Sequence, residues 1–146
     1  MNHRYKIFLF LLIAVSFAAC RKDVDVPDPS LEKLFGKWQL VGSCGGIGGA
    51  SFFGNTEYWI ELNRNGIFKG YDGNTLEEKR EFNISIGHSI YTTNDAYLIK
   101  YHTTKFIHRK YHLEKISQSI EFFGEDTLWL LDEAYDAYSY CYVRKK

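Results

Sequence analysis

Apolar and polar residues alternate in short runs along the chain after residue 36, and turn residues separate the runs. Alternation places successive side chains on opposite faces of a strand, so the pattern predicts β-strands with one dry and one wet face. The nine predicted strands are Lys37 to Ser43, Glu57 to Leu62, Ile67 to Tyr71, Arg80 to Ile86, Ala96 to His102, Tyr111 to Ile116, Ser119 to Phe123, Thr127 to Leu131 and Tyr138 to Arg144. No helical period persists after residue 36, and we therefore predict an all-β domain.

The connections between these strands predict how the sheet is wound. Asn63 to Gly66 and Gly124 to Asp126 are turn clusters, and Asn65-Gly66 can supply the positive φ angles of a tight hairpin. Few connections are long enough for a crossover helix. We therefore expect an eight- or nine-stranded antiparallel up-and-down barrel, whose interior is either filled by side chains or holds one small ligand.

The chain begins with a segment of a different kind. Positions 2 to 6 are polar and basic, Ile7 to Phe17 is an apolar run, and Ala18-Ala19-Cys20 follows. The run is shorter than the roughly 20 apolar residues that a membrane-spanning helix needs. This order predicts a signal peptide over residues 1–19.

Residues 20–35 form the predicted connection between that segment and the barrel domain at 36–146. This stretch has no periodicity and holds both prolines of the chain, so we read most of it as a linker that spans about 20 Å as a coil. Ser30 can cap a short helical turn from Leu31 to Phe35, and Gly36 ends the turn.

Charge and composition narrow the classes of partner. The chain has 18 basic and 18 acidic residues, and a chain that starts at Cys20 is weakly acidic. This balance gives no support to nucleic-acid binding. The eleven Phe, eleven Tyr and three Trp residues are enough to build a core.

The residues Phe17-Ala18-Ala19-Cys20 resemble the lipobox of bacterial lipoproteins. The resemblance implies that Cys20 is lipidated on sulfur and becomes the new N-terminus, so that acyl chains anchor the protein to the membrane. In such lipoproteins an Asp directly after the cysteine is the usual signal for retention in the inner membrane, and this chain has Arg21 at that place. The resemblance therefore implies the outer membrane, on its periplasmic or its outer face. The alternative is an ordinary secretory signal with a chance cysteine.

The barrel region resembles the lipocalin-like domains of small bacterial lipoproteins. The residues that carry the resemblance are Gly36-Lys37-Trp38-Gln39-Leu40-Val41, the Gly-rich segment after Cys44, Asn65-Gly66-Ile67-Phe68, Asp126-Thr127-Leu128-Trp129-Leu130 and Tyr138-Ser139-Tyr140-Cys141-Tyr142-Val143-Arg144. The resemblance implies that Trp38 closes one end of the barrel and that Arg144 packs across its ring. Residues that share parity with Arg144 then also point inward.

Inward tyrosines suggest a binding role. The candidates for ligand contact are Tyr58, Tyr97, Tyr101, Tyr138, Tyr140 and Tyr142. A cavity lined by these residues would suit a small hydrophobic or aromatic molecule with a polar end. The alternative is a filled barrel that contacts protein or glycan through surface aromatics such as Trp59 and Trp129.

The chemistry of enzymes and metal sites is not indicated. The chain contains no recognisable catalytic motif, and acids such as Glu57, Glu61 and Asp72 have no partner that the sequence can place. We therefore expect a non-enzymatic monomer without a cofactor. His102, His108 and His112, with Glu114 nearby, match no zinc spacing, and we read them as part of a basic aromatic surface. The glycines from 45 to 49 read as a loop at the barrel mouth.

Besides Cys20 the chain has two cysteines, Cys44 and Cys141, and the predicted compartment is one in which a disulfide can persist. An antiparallel register centred on Leu40 and Tyr140 argues against a bridge, because it places Cys44 opposite about position 136 and on the other face from Cys141. A glycine bulge or another register would permit the bridge.

Overall fold

The computed structural model describes residues 23–46, 50–54, 56–107 and 110–146, with side chains at all of these except 50, 104–107 and 110–113. Cys20 and the segment before it therefore lie outside the described residues, as does His108. A 3₁₀ helix, Pro29–Leu34, precedes the strands. The strands are β1 Gly36–Gly45, β2 Ala50–Phe53, β3 Tyr58–Asn63, β4 Ile67–Asp72, β5 Thr75–His88, β6 Asp95–Ile107, β7 Lys110–Phe123, β8 Thr127–Asp132 and β9 Tyr138–Arg144.

These strands form one antiparallel sheet that closes on itself. Strands β3 to β9 pair in chain order, and β1 pairs with both β3 and β9. The short strand β2 pairs with the end of β1 that β3 leaves free. The fold is a closed barrel of eight antiparallel strands with one additional strand, which confirms the predicted fold class.

Two parts of the strand prediction were wrong. The predicted strands on either side of residue 117 are one continuous strand, β7. Ser117 and Gln118 read as a break because they are polar, but the Gln118 side chain points into the barrel and is buried there with polar partners. The strand β2 was not predicted, because four residues next to glycines give too short a pattern to recognise.

The connection from β3 to β4 is a hairpin with a different backbone from the one predicted. Gly66 has a φ of 74°, and its N–H donates to the Asn63 carbonyl at 2.9 Å. Asp136 is the one non-glycine residue of the described chain with a positive φ, so Asn65 does not share that conformation. Three-residue hairpins of this kind place a single glycine in the left-handed region.

The 3₁₀ helix covers one end of the barrel, which we call the closed end. Leu31 and Leu34 are buried against the core. Asp28, and not the predicted Ser30, is the capping residue, since its carboxylate accepts from the Ser30 N–H at 2.7 Å. The connections β3–β4 and β7–β8 lie at this end, because β1 begins there and pairs Gly36 with Leu62 and Trp38 with Arg144.

The segment just before this helix is docked on the barrel and is not the free linker that we expected. Val24 donates its N–H to the Arg64 carbonyl at 2.8 Å. Val24 and Val26 are partly buried against the core. Asp28 also accepts from the Tyr97 hydroxyl at 2.8 Å. The two valines supply the apolar contact that a solvated tether would lack.

The seam between β1 and β9 contains a bulge that corrects the expected position of the cysteines. The register shifts between Leu40 and Gly42, so that Cys44 pairs with Ser139 and Cys141 pairs with Gly42. One extra residue in a strand moves the following side chains to the other face. Cys44 and Cys141 therefore share a face, and both are free thiols. Burial raises the pKa of Cys141, and the neighbouring Cys44 adds to this shift.

Candidate functional site

The closed half of the barrel interior is apolar and tightly packed. Trp38 is fully buried, and its indole N–H donates to the Leu34 carbonyl at 2.8 Å. The Arg144 guanidinium lies 3.7 Å from the centre of the Trp38 ring and donates to the carbonyls of Phe35, at 3.0 Å, and Lys33. These contacts join the first strand, the last strand and the 3₁₀ helix at one point.

The other half of the interior contains a cavity of about 230 Å³. All eight barrel strands contribute to its wall, which is formed by Leu40, Tyr58, Phe68, Glu78, Arg80, Tyr101, Ile116, Gln118, Leu130, Asp132, Tyr140 and Tyr142. All of these side chains are buried or half-buried. An engineered cavity of about 150 Å³ is large enough to hold benzene, so this one has room for a molecule somewhat larger.

One side of the cavity holds an ion pair that is stacked on aromatic rings. Arg80 pairs with Glu78, and the Tyr58 hydroxyl donates to the same carboxylate. The guanidinium lies 5.0 Å from the ring centre of Phe68 and 4.7 Å from that of Tyr101. The ion pair and the two rings offset the free-energy cost of withdrawing the Arg80 guanidinium from water.

The backbone around Glu78 creates the room for this group. The pairing of β4 with β5 shifts between Gly70 and Tyr71, which leaves Glu77 unpaired as a bulge. Glu78 then lies directly opposite Gly70. A Cβ at position 70 would lie 2.6 Å from Glu78 Cγ and would also meet the Tyr58 hydroxyl. Glycine is required here for space, because the ion pair occupies the volume that a side chain would take.

A second set of polar contacts begins at Tyr101, beside the ion pair, and continues across the next two strands of the wall. The Tyr101 hydroxyl donates to Gln118 Oε1 at 2.8 Å, and Gln118 Nε2 donates to Asp132 Oδ1 at 2.6 Å. The buried amide thus has a partner for its oxygen and for its nitrogen. The cavity wall combines aromatic faces with charged and amide groups, and is more polar than the hydrophobic pocket that we expected.

The four tyrosines of the cavity are neutral hydroxyl groups at physiological pH. Burial raises the pKa of Tyr58 to about 12 and raises the pKa values of Tyr101 and Tyr140. The pKa of Tyr142 is raised well above its usual value for the same reason. These side chains can donate or accept hydrogen bonds, and they do not supply a base near neutral pH.

The structure brings together four of the six tyrosines that we named and leaves out two. Tyr97 lies near the closed end and donates to Asp28, outside the cavity. Tyr138 is 44% exposed and also does not line the cavity. It is the first residue of β9 and pairs with Gly45 at the rim, where a glycine offers no side chain to cover the ring.

Four polar residues of the cavity were missed by sequence reasoning, namely Glu78, Arg80, Gln118 and Asp132. The predicted strand began at Arg80, so Glu78 was not included among the side chains that face inward. A charged residue in line with Phe82 and Ile84 is the one signal that could have suggested a polar interior, because all three share parity on β5.

The two tryptophans of the alternative hypothesis lie on the outer face but are half-buried. Trp59 stacks on Tyr71 with ring centres 3.9 Å apart, and its N–H donates to the Gly73 carbonyl at 2.7 Å. Trp129 meets Phe123 edge-on at 6.1 Å. The most exposed large aromatics near the barrel mouth are instead Phe53, at 65%, and Tyr135, at 88%.

The remaining polar candidates whose side chains are described do not converge, and the His108 and His112 side chains lie outside that set. His102 pairs with Lys115 and Glu114 pairs with Thr103, so His102 and Glu114 face opposite sides of the sheet. Of the acids, Glu61 forms an ion pair with Lys69 at 3.1 Å, and Glu57 and Asp72 are exposed. In the described part of the chain, no group of three or more His, Cys, Asp or Glu residues is placed to hold a metal ion.

A larger groove, of about 380 Å³, lies outside the barrel between the docked N-terminal segment and β5. Five of its nine lining residues are exposed: Asp23, Asp25, Asn65, Glu81 and Asn83. A site that binds a small molecule specifically withdraws it from water, and an exposed groove does this poorly. The interior cavity is therefore the candidate site.

No protein-family model, curated protein or solved structure matches this chain. The resemblance to lipocalin-like lipoproteins therefore remains a prediction from sequence motifs. Within the described ranges, no helical segment has the length and apolar character needed to cross a bilayer.

Proposed function

We propose that this protein is a lipoprotein of the bacterial outer membrane that binds a small amphipathic molecule inside its barrel. The observation that carries the binding role is the cavity of about 230 Å³, whose wall combines aromatic rings with an ion pair and a buried amide. Taking charged and amide groups out of water costs free energy that pairing them does not always recover, so an interior with no binding role would more simply be apolar.

The cavity favours a ligand with an aromatic or alkyl body and at least one polar group. Rings of Tyr58, Phe68 and Tyr101 provide apolar faces, and the hydroxyl, amide and carboxylate groups can pair with a polar end. The cavity has about one and a half times the volume of the engineered cavity that holds benzene, and this limits the size of the part of the ligand that can be enclosed. A purely hydrophobic ligand would displace water from the polar groups of the wall and could not replace the hydrogen bonds that the water made.

Binding is tested on protein that is purified without residues 1–19. Native mass spectrometry should detect a co-purified small molecule or, on protein that was unfolded and refolded to remove it, an adduct with a probe. Suitable probes of matched shape are phenylbutylamine, phenylbutanol and phenylbutyrate. We expect at least one of them to give a one-to-one adduct and to raise the melting temperature. A clean apo mass with no stabilisation by any of the three would contradict the binding role.

Membrane attachment is supported by the order of the N-terminal residues, in which basic residues, a short apolar run and Ala18-Ala19-Cys20 follow one another. Cys20→Ser removes the thiol that would receive the lipid. The variant should fail to incorporate a fatty-acid probe and should remain as a precursor or appear in the soluble fraction. Cys44→Ser is the matched control and should keep the label. Labelling that survives Cys20→Ser would exclude the anchor.

A second candidate function is contact with a protein or glycan, and it is favoured by the aromatics at the rim of the barrel. Phe52 and Phe53 of β2, Tyr135 of the β8–β9 connection and Tyr138 of β9 are all exposed at this end of the barrel, and β1 lies between β2 and β9. Exposed aromatics that lie together are typical of contact sites. Cross-linking of cells that carry wild type or the Phe53→Ser/Tyr135→Ser variant compares the two. A partner captured equally by both would exclude the rim as the contact surface.

A further inference from the structure

The docked N-terminal segment fixes where a lipid anchor could attach to the barrel. Val24 donates to the Arg64 carbonyl in the β3–β4 connection, and its Cγ2 would lie 3.1 Å from a Cβ at Gly66. Val26 and Asp28 hold the following residues against the core and Tyr97. Val24 therefore marks a described contact of this segment with the barrel, beside the closed end.

The stretch of chain between that point and Cys20 is short. Cys20 and Val24 are four Cα-to-Cα steps apart, and a fully extended chain covers at most about 14 Å over four steps. A flexible linker of the length predicted from sequence would let the domain turn freely above a membrane. A connection of four Cα-to-Cα steps limits how far the domain can turn.

The mouth of the cavity lies beyond this reach. Strand β1 runs from Gly36 at the closed end to Gly45 at the rim. Nine steps at the usual strand rise give about 30 Å, and the tilt of barrel strands reduces this to about 21–25 Å along the barrel axis. If the rim rested on the bilayer, Val24 would stand farther from it than the path to Cys20 can span.

We propose that the closed end of the barrel, with the β3–β4 connection, faces the bilayer and that the mouth opens toward the aqueous phase. This inference rests on the proposed lipid anchor at Cys20. It deepens the proposed function, because the ligand would enter and leave through water and would not pass directly from the lipid layer. The rim aromatics would then be available to a partner outside the membrane.

The surface of the closed end fits contact with headgroups and not insertion. Its exposed residues include Glu32, Arg64, Asn65 and Glu125. Arg64 pairs with Glu32, and Lys33 lies 3.8 Å from Glu125. The charged groups of these two pairs are accessible to solvent and remain hydrated, so the surface can rest on a bilayer without entering its apolar layer.

The orientation can be measured with fluorescent labels at the two ends. In acylated protein that carries Cys44→Ser and Cys141→Ala, one added thiol is introduced by Asn65→Cys at the closed end or Tyr135→Cys at the rim. Each labelled protein is bound to phosphatidylethanolamine and phosphatidylglycerol vesicles that contain a lipid spin-labelled at the headgroup. We expect at least threefold stronger quenching at position 65 than at position 135.

The matched control lengthens the free path. Insertion of 24 Gly and Ser residues between Lys22 and Asp23 gives a coil of about 27 Å, which exceeds the distance to the rim. The quenching ratio should then fall toward one. Equal or stronger quenching at position 135 without the insertion would overturn the proposed orientation.

Two further measurements separate the possible failures. Fatty-acid labelling and sedimentation with vesicles come first, since their failure would exclude the anchor itself. Hydrogen exchange of the unaltered acylated protein avoids the cysteine substitutions. Vesicles should slow exchange in peptides around 63–67 and leave 133–138 unchanged, and the reverse pattern would contradict the orientation.

Discussion

The two halves of the barrel interior use the same strands for different purposes. The closed half is built around Trp38 with leucine and isoleucine side chains, and its one charge, on Arg144, lies on a ring and bonds to main-chain carbonyls. The half toward the mouth leaves about 230 Å³ open and partners Glu78 and Arg80 with each other. Under the proposed function, the first half supplies stability, and the second half accepts a cost in stability to hold polar groups around a space.

The largest effect should come from the closed half. Trp38→Ala removes a fully buried ring and the hydrogen bond to Leu34, and should lower the free energy of unfolding by about 3–5 kcal/mol. Urea unfolding followed by circular dichroism measures the change. The acyl label on Cys20 should be unaffected. A loss below about 1 kcal/mol would mean that this half does not carry the stability.

Arg144→Met should have the next largest effect. The variant leaves the carbonyls of Phe35 and Lys33 without their charged donor, which typically costs about 1.5–3 kcal/mol. Arg64→Met is the matched control, because Arg64 pairs with Glu32 at an exposed surface and should contribute less than about 1 kcal/mol. Equal losses in both variants would show that Arg144 does not join the strands at the closed end.

A smaller effect is expected in the cavity half. Tyr101→Phe keeps the ring and removes the hydroxyl that donates to Gln118, which should lower the free energy of unfolding by about 0.5–1.5 kcal/mol. Tyr135→Phe at the exposed rim should change nothing measurable. A loss as large as that of Trp38→Ala would mean that the cavity half is packed as a structural core.

These two halves also differ in how well the sequence predicts them. Alternation identified the strands and their apolar face, since residues such as Ile60 and Leu62 alternate with polar neighbours and are buried. Alternation also places Ile86 on the apolar face of its strand, and this was wrong. That end of β5 lies beyond the packed interior, and the side chain is 56% exposed. The fold could be predicted because the alternation that marks a strand lies within the sequence of that strand.

The cavity was harder to predict from the sequence, for two physical reasons. Bulges at Glu77 and in β1 change which side chains face inward, and a single sequence shows no sign of where an extra residue is accommodated. Gln118 is polar, and its burial depends on partners that lie 17 and 14 residues away. The docking of Val24 and Val26 depends in the same way on a surface that only the folded barrel provides.

The central claim is that the half toward the mouth is kept open for a ligand, and a cavity-filling substitution tests it most directly. Ile116→Trp adds bulk to the cavity wall, and Ile86→Trp adds the same group at an exposed position as the control. We expect Ile116→Trp to leave the free energy of unfolding unchanged or raised and to abolish the probe adducts, while Ile86→Trp keeps them. Overpacking a filled core typically costs about 1–3 kcal/mol. A loss of that size in Ile116→Trp, with probe binding retained, would contradict the claim.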